Sequence, residues 1–337
     1  MKPLREISAI DVEIKRIESI LHSLKQKRAD LQQSMDDCNT ILAPVRRLPM
    51  DVLSIIFTYS LATHRNPIMS PSEAPILLTH ICHDWRSISL SIPRLWSRLH
   101  IPLLLKTSEP LFGQVAPPRQ DAERREARSE EVQRWMTLSA SHPLSIMITS
   151  TGSVSSYHRP PMDAILRSSR RWQELELGYI APQSNLSQKM LDFTTYDLCL
   201  LQELRVHSIP NPQDKWLESC LFNAPGLRSI SIATMPETTS HMPVNWKNLN
   251  RLFIHSPIML ELANQILNHC RNLVACLFEV REPWAWNPEL APELSSFLPH
   301  LKFLSLRGDS TACNHLYSYI RTLSASFPGD LWRAWLI

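Results

Sequence analysis

The sequence predicts a multidomain α+β protein: a long N-terminal helix, then a small all-α domain, then an irregular α/β solenoid. Three observations predict this order. Apolar residues recur every three or four positions from Ile7 to Leu42, two strongly apolar helical segments follow before residue 101, and short strand-like segments recur from residue 143 onward. The predicted boundaries are residues 1–43 for a coiled-coil helix, 44–101 for the all-α domain, 102–142 for a linker with a charged helix, and 143–337 for the solenoid.

The composition excludes several classes of function. Of the 337 residues, 44% are hydrophobic, which is enough for a sizeable core, and 35 basic residues nearly balance 32 acidic ones. This balance argues against a nucleic-acid-binding protein, which needs a local excess of Lys and Arg. The seven cysteines contain no C-x-x-C pair, which favours a reducing compartment over a zinc ribbon or a disulfide framework. The charged N-terminus has no signal-peptide core, and no segment approaches the ~20 apolar residues of a membrane span. We therefore expect a cytoplasmic or nuclear protein that does not bind membranes.

The N-terminal helix has the seven-residue pattern of a coiled coil. With Ile7 as position a, the pattern runs for about five heptads and is interrupted by one charged residue, Arg28. The a positions are Ile7, Ile14, Leu21, Arg28, Met35 and Leu42, and the d positions are Ile10, Ile17, Leu24, Leu31 and Cys38. Two interpretations stay open: the apolar stripe binds a second copy of the chain or a partner helix, or it packs on its own domain.

The segment "LPMDVLSIIF" begins a helix that is apolar on almost every side. Pro49 suits a first helical position, and Asp51 places an acid near the positive end of the helix. A helix of this composition is usually covered on more than one side. The blocks "ICHDWR" and "IPRLW" follow after a loop from Thr63 to Pro75.

Residues 44–101 resemble the F-box, a short helical module that binds the adaptor Skp1 in SCF-type ubiquitin ligases. The three blocks occur in the family's order. The loop from Thr63 to Pro75 is longer than in a compact F-box, and together with the N-terminal coiled coil it resembles the large fungal F-box families. The resemblance implies binding of a Skp1-like adaptor, with a cullin and a RING ligase joined indirectly. The adaptor-binding residues that it implies are Leu48, Pro49, Asp51, Val52, Leu53, Ile56, Phe57, Ile81, Trp85 and Trp96. The alternative is an ordinary core helix of a larger α domain.

The region from residue 143 onward contains seven strand-like segments, of the type "WQELEL" and "LQELRV", spaced 22 to 29 residues apart. It resembles a degenerate leucine-rich-repeat array, in which the residues between the buried ones face a partner. We expect this face to bind an unidentified protein substrate, or else to be an ordinary solvated surface. The candidate substrate-binding residues are Arg205, His207, Phe253, His255 and Arg307.

No pattern of catalytic or metal-binding residues is found. His80 and Asp84 lie one helical turn apart, but no second group of ligands accompanies them, so we expect no metal. Phosphate-binding glycine loops and hydrolase motifs are absent, and no cofactor is expected. The leading hypothesis is a non-catalytic receptor subunit of a ubiquitin ligase, with a homodimer formed through the coiled coil. The alternatives are a scaffold outside any ligase and an enzyme with an unrecognised site, which would need a pocket with converging titratable groups.

Overall fold

The structure is a computed structural model that describes residues 2–103, 118–150, 162–179, 189–208, 218–234, 244–281 and 298–323. The chain divides into two compact units, Met1–Ile56 and Phe57–Ile337. The α-helices are α1 (Lys2–Leu42), α2 (Met50–Tyr59), α3 (Leu78–Ile81), α4 (His83–Leu90), α5 (Pro118–Leu138), α6 (Met162–Arg167), α7 (Leu260–His269) and α8 (Ser310–Leu323). The strands are β1 (Arg98–Leu103), β2 (Leu144–Ser150), β3 (Trp172–Tyr179), β4 (Glu203–Ser208), β5 (Ser229–Ile232), β6 (Arg251–Met259), β7 (Ala275–Arg281) and β8 (Phe303–Gly308).

The first unit consists of α1, a short 3-10 turn over Pro44–Arg47 and the start of α2. No proline or glycine interrupts α1 after its first turn, so the backbone hydrogen bonding continues for 41 residues, or about 60 Å at 1.5 Å per residue. Helix α2 begins where the sequence predicts. Asp51 lies in its first turn, and the amide of Leu53 donates to the carbonyl of Pro49 at 3.0 Å.

The helical segment around "ICHDWR" is broken at Cys82. This residue is extended, with φ −156° and ψ 172°, and separates α3 from α4. Its sulfur accepts a 3.5 Å hydrogen bond from the amide of Trp85, so it caps the start of α4. The guanidinium of Arg86 then reaches back across the break to the carbonyl of Thr79 at 2.7 Å. Trp85 is thereby held with its ring 4.8 Å from that of Phe57.

The eight strands form one sheet in which every strand is parallel to the next and the spatial order equals the chain order. Alternate side chains of each strand point to opposite sides, and two buried rows cross the sheet on one side. The first row consists of Leu99, Ile146, Leu175, Leu204, Ile230, Leu252, Cys276 and Leu304. The second row consists of Ile101, Ile148, Leu177, Val206, Ile232, Ile254, Phe278 and Leu306. The apolar core therefore lies on this side of the sheet.

Helix α5 is held at its C-terminal end by Arg171, which lies just before β3. The Arg171 guanidinium donates to the Ser139 carbonyl at 3.1 Å, the Ser139 hydroxyl at 2.7 Å and the His142 carbonyl at 3.0 Å. Burial lowers the pKa of this guanidinium from its ordinary value. Upstream in α5, the buried Trp135 ring stands edge-on to Trp96 at 4.9 Å. Residues 93–98 and α5 thus belong to one packed core.

The last strand ends in a conformation that requires glycine. Gly308 has a φ of +109°, and a β-carbon there would overlap the carbonyl oxygen of Val280 on β7. Gly226, in the turn before β5, is less restricted, because its added β-carbon would lie 3.0 Å from the carbonyl oxygen of Leu201.

The predicted fold class is wrong. A separate all-α domain and a leucine-rich-repeat-like solenoid are not found; the described residues form one all-parallel sheet with helices, an α/β fold. The long N-terminal helix agrees with the prediction in part.

Two physical reasons explain the difference. Residues 98–103, predicted as the end of the all-α domain and the start of the linker, hydrogen-bond to β2 as strand β1. The connections between strands are also unequal: α6 lies between β2 and β3 and α7 between β6 and β7, but the described residues 218–228 before β5 form turns. The regular spacing of the strand-like segments arises because neighbouring strands pair in register, not because one structural unit is repeated. Parts of the predicted linker and solenoid, including residues 104–117, 282–297 and 324–337, lie outside the described residues.

Within the described part of the chain, no helix combines the length and the apolar character needed to cross a bilayer.

Candidate functional site

The side of the sheet opposite the apolar core carries mostly polar side chains on its first four strands. One row on this side lies between the two buried rows and consists of His100, Met147, Glu176, Arg205, Ser231, Phe253, Leu277 and Ser305. Since these strands pair in register, side chains that are distant in sequence become neighbours about 4.8 Å apart.

Glu176 is the centre of an ionic cluster on β3 and β4. One carboxylate oxygen lies 2.6 Å from Nε2 of His207, and the other lies 3.3 Å from a guanidinium nitrogen of Arg205. Arg205 also contacts Glu203 at 2.5 Å. Burial opposes the charge of Arg205, but the Coulomb attraction and hydrogen bonds of Glu203 and Glu176 raise its pKa above the ordinary value. The Arg205 guanidinium is therefore fixed in a charged, oriented state.

A second hydrogen-bond network connects Arg98 on β1 to Glu174 on β3. Arg98 donates to Oδ1 of Asn66 at 3.0 Å and to the carbonyls of Ala62 and Arg65 at 2.9 and 3.0 Å. The Asn66 amide donates to the Ser145 carbonyl at 2.9 Å, and the Ser145 hydroxyl donates to Glu174 at 2.8 Å. The loop before α3 is thereby fixed to the first strands of the sheet.

Residues of both networks line a cleft of about 600 Å³, which we call the polar cleft. Its charged lining residues are Arg65, Arg94, Arg98, Glu174, Glu176, Glu203 and Arg205. Arg65 is paired with Glu73 at 2.9 Å, and Arg205 is paired within the cluster. Among the described residues, no carboxylate lies within 4.0 Å of Arg94 or Arg98. The cleft therefore presents both guanidinium and carboxylate groups along its lining.

His100 and Thr149 form the pair in this region that most resembles catalytic groups. Nε2 of His100 lies 2.7 Å from the Thr149 hydroxyl. Burial and the charge of Arg65 lower the pKa of His100, and the weaker opposing effects of Glu176 and Glu73 do not restore it. A hydroxyl nucleophile needs a base whose second nitrogen is oriented by a third group. Among the hydrogen bonds of the described residues, none involves Nδ1 of His100. The described residues also contain no group of three or more side chains that could hold a metal ion.

The predicted substrate-binding residues are only partly brought together. Arg205 and His207 meet at Glu176 in the polar cleft region. Phe253 lies on the same side two strands further along the sheet. His255 is exposed on β6 and Arg307 on β8, where Arg307 is opposite Glu279. The sequence also missed Asn66, Arg98 and Glu174, because their contacts join segments 29 to 79 residues apart.

The residues predicted to bind an adaptor fall into buried and exposed groups. Leu53, Phe57 and Trp96 are buried, and the Trp96 indole donates to the Ser89 carbonyl at 2.9 Å. Leu48 and Trp85 are half-buried. The exposed members are Pro49, Asp51, Val52, Ile56 and Ile81.

Helix α2 has five exposed apolar side chains, which we call the α2 surface: Met50, Val52, Ile55, Ile56 and Tyr59. All of these except Met50 lie on one side of the helix. Three of these, Met50, Ile55 and Tyr59, were not predicted as contacts. A helical spacing of four between Leu53 and Phe57 was the available signal, because it marks those two residues as the buried side of the helix.

No protein-family model matches the chain, and no curated protein shows significant sequence similarity to it.

Proposed function

We infer that this chain is a non-catalytic substrate-recognition subunit of an SCF-type ubiquitin ligase. In this proposal the α2 surface binds a Skp1-like adaptor, which connects the chain indirectly to a cullin and a RING ligase. The polar cleft holds a protein substrate, and ubiquitin transfer is accelerated by proximity rather than by bond chemistry on this chain. The proposal places the protein in the cytoplasm or the nucleus and requires no cofactor.

The observation that carries the proposal is the α2 surface. A ten-residue helix exposes five large apolar side chains, within the segment that resembles the F-box. Exposed apolar side chains that are contiguous on one element mark interaction sites, because their solvation is unfavourable in a monomer. Tyr59, the most exposed at 83%, and Ile55, at 59%, have the size and character of residues that contribute most to protein interfaces.

The polar cleft supports the assignment of substrate recognition. A cleft lined by both arginines and carboxylates is complementary to a peptide that carries both an acidic and a basic group. Charged recognition of this kind gives specificity and reversible binding.

The test is a binding measurement between the purified full chain and a purified fungal Skp1-like adaptor. Ile56→Asp should weaken binding at least about thirtyfold, since introducing a charge at a central interface position costs on the order of 2 kcal/mol or more. Leu200→Asp is the matched control, because Leu200 is 44% exposed and Ile56 is 43% exposed. Circular dichroism must show both variants folded. The proposal fails if the wild-type chain does not bind the adaptor, or if Ile56→Asp and Leu200→Asp bind equally well.

A scaffold outside any ligase is the second candidate function. The exposed apolar stripe of α1 favours it, because that stripe can join chains without an adaptor. Association through α1 in a chain that does not bind a Skp1-like adaptor would support the scaffold over the ligase subunit.

A further inference from the structure

Helix α1 exposes its apolar stripe along its whole described length. The a and d side chains from Ile7 to Leu42 are all exposed, and Ile20, at a flanking g position, is exposed as well. The side chains described on the other faces between Asp11 and Asn39 are also exposed, so nothing within its own unit covers the stripe.

The side-chain contacts that α1 makes within itself join solvent-exposed groups. They include one ion pair, Glu13–Arg16 at 2.8 Å, and three Gln–Asp hydrogen bonds of 2.9 to 3.1 Å. Such contacts stabilise a helix only weakly, whereas most helical stability in proteins comes from packing of an apolar face. A stripe with apolar a and d positions over about five heptads fits a second helix.

The charges flanking the stripe argue against a parallel pair of identical helices. In a parallel dimer, each a residue faces its own copy, so Arg28 would face Arg28 in the apolar seam. Each g residue would also lie beside the e residue of the next heptad, which places Glu13 beside Glu18 of the second copy. Both contacts are repulsive, and both occur within the described helix.

An antiparallel pair removes these repulsions. In that orientation a residues face d residues, e residues flank e residues, and g residues flank g residues. With Leu21 opposite Leu24 of the second copy, Arg28 lies against Ile17, along which its aliphatic stem can extend while its charge reaches water. The same register places Glu18 beside Lys25 of the second copy, twice by symmetry.

This register also buries most of the apolar stripe. Going outward from the centre, Ile14 faces Leu31, Ile10 faces Met35, and Ile7 faces Cys38 of the second copy. Asp11 then flanks Gln32, and Glu13 flanks Ser34, so no flanking pair of like charges remains.

We propose that the occupant of the α1 stripe is α1 of a second copy of this chain, paired antiparallel with Leu21 opposite Leu24. Charge complementarity selects this partner and this orientation. The dimer does not depend on the adaptor or on the polar cleft, so it can be tested independently of the proposed function.

The orientation is tested with the full chain through a cysteine that the helix already contains. Cys38 is an exposed, free d residue, and Cys199 is replaced by Ala so that it cannot contribute. In the antiparallel dimer, Ile7→Cys should form an intermolecular disulfide with Cys38 under mild oxidation, and adding Cys38→Ser should abolish it. Peptide mapping identifies the linked pair. Cross-linking through Cys38–Cys38, or retained cross-linking of Ile7→Cys in the Cys38→Ser background, would establish a parallel pair and overturn the proposal.

An exchange of charges gives a second test, because it changes the dimer affinity in opposite directions for the antiparallel and the parallel pair. Glu18→Lys should weaken an antiparallel dimer severalfold by sedimentation equilibrium, and Glu18→Lys with Lys25→Glu should restore it. In a parallel dimer, Glu18→Lys would remove the repulsion with Glu13 and strengthen association. A wild-type chain that stays monomeric at about 100 μM, or that pairs through α1 only with a different protein, also contradicts the proposal.

Discussion

The burial of Phe57 predicts that two neighbouring apolar residues of α2 have opposite roles. Phe57 is 0% exposed and its ring lies 4.8 Å from Trp85, whereas Ile55 is 59% exposed. An aromatic side chain buries on the order of 200 Å², which at about 25 cal/mol per Å² gives an upper limit near 5 kcal/mol. Alanine retains part of this burial, but the cavity adds a cost. We therefore expect Phe57→Ala to lower the free energy of unfolding by about 3–5 kcal/mol.

Ile55→Ala is the matched control. At an exposed helical position we expect a change within about 0.5 kcal/mol, because little burial is lost and alanine favours the helix. Urea unfolding followed by circular dichroism measures both variants. A cost below about 1 kcal/mol for Phe57→Ala, or an equal cost for Ile55→Ala, would refute the assigned orientation of α2. Adaptor binding should show the reverse order, with Ile55→Ala affected while its fold is intact.

Three further predictions concern the fold. Gly308→Ala should lower the free energy of unfolding by about 1–3 kcal/mol from its backbone conformation alone, and Gly226→Ala by less; thermal unfolding compares the two variants. Arg171→Lys should cost about 1–3 kcal/mol in urea unfolding, because an ammonium group cannot reproduce the guanidinium's hydrogen bonds, whereas Arg170→Lys should change stability by less than about 0.5 kcal/mol. Burial raises the pKa of the Cys270 thiol to about 12 from an ordinary value of 9.0. At a pH between these two pKa values, the unfolded chain releases a proton that the folded chain keeps. The free energy of unfolding therefore falls as the pH rises, by at most about 1.4 kcal/mol per pH unit from this thiol. Cys270→Ala should make the decline from pH 9 upward less steep, and an unchanged slope would contradict the burial of this thiol.

The strands of the sheet could be predicted because each carries a local pattern. Leu204 and Val206 alternate with Glu203 and Arg205, and a period of two is readable without knowledge of any other segment. Strand β1 was missed although buried Leu99 and Ile101 alternate in it with Arg98 and His100. The proline and tryptophan of "IPRLW" directly before this short segment favour a helical turn, and the strand is established by its pairing with β2.

Residues of the candidate site could be predicted only where a side chain's exposure follows from its position in its own helix or strand. The exposure of Arg205 and His207 follows from alternation along β4. Their convergence on Glu176 depends on the register between β3 and β4, which the sequence does not encode locally. On α2, apolar residues adjoin one another, so only the spacing of four between Leu53 and Phe57 indicates the buried side. The resemblance to the F-box therefore grouped buried Leu53 with exposed Ile56.

The three surfaces differ in chemistry, and this difference assigns them different kinds of partner. The α1 stripe is long, narrow and apolar, which fits another helix. The α2 surface is short and broad, which fits a partner that supplies a matching apolar groove. Apolar burial gives affinity with little discrimination, so both surfaces suit subunits that stay bound. The polar cleft gives orientation and charge discrimination with less apolar burial, so it suits a ligand that is exchanged. A variant of Arg94, which is exposed in the cleft, should therefore change which proteins bind there, while the proposed dimerisation and adaptor binding stay unchanged.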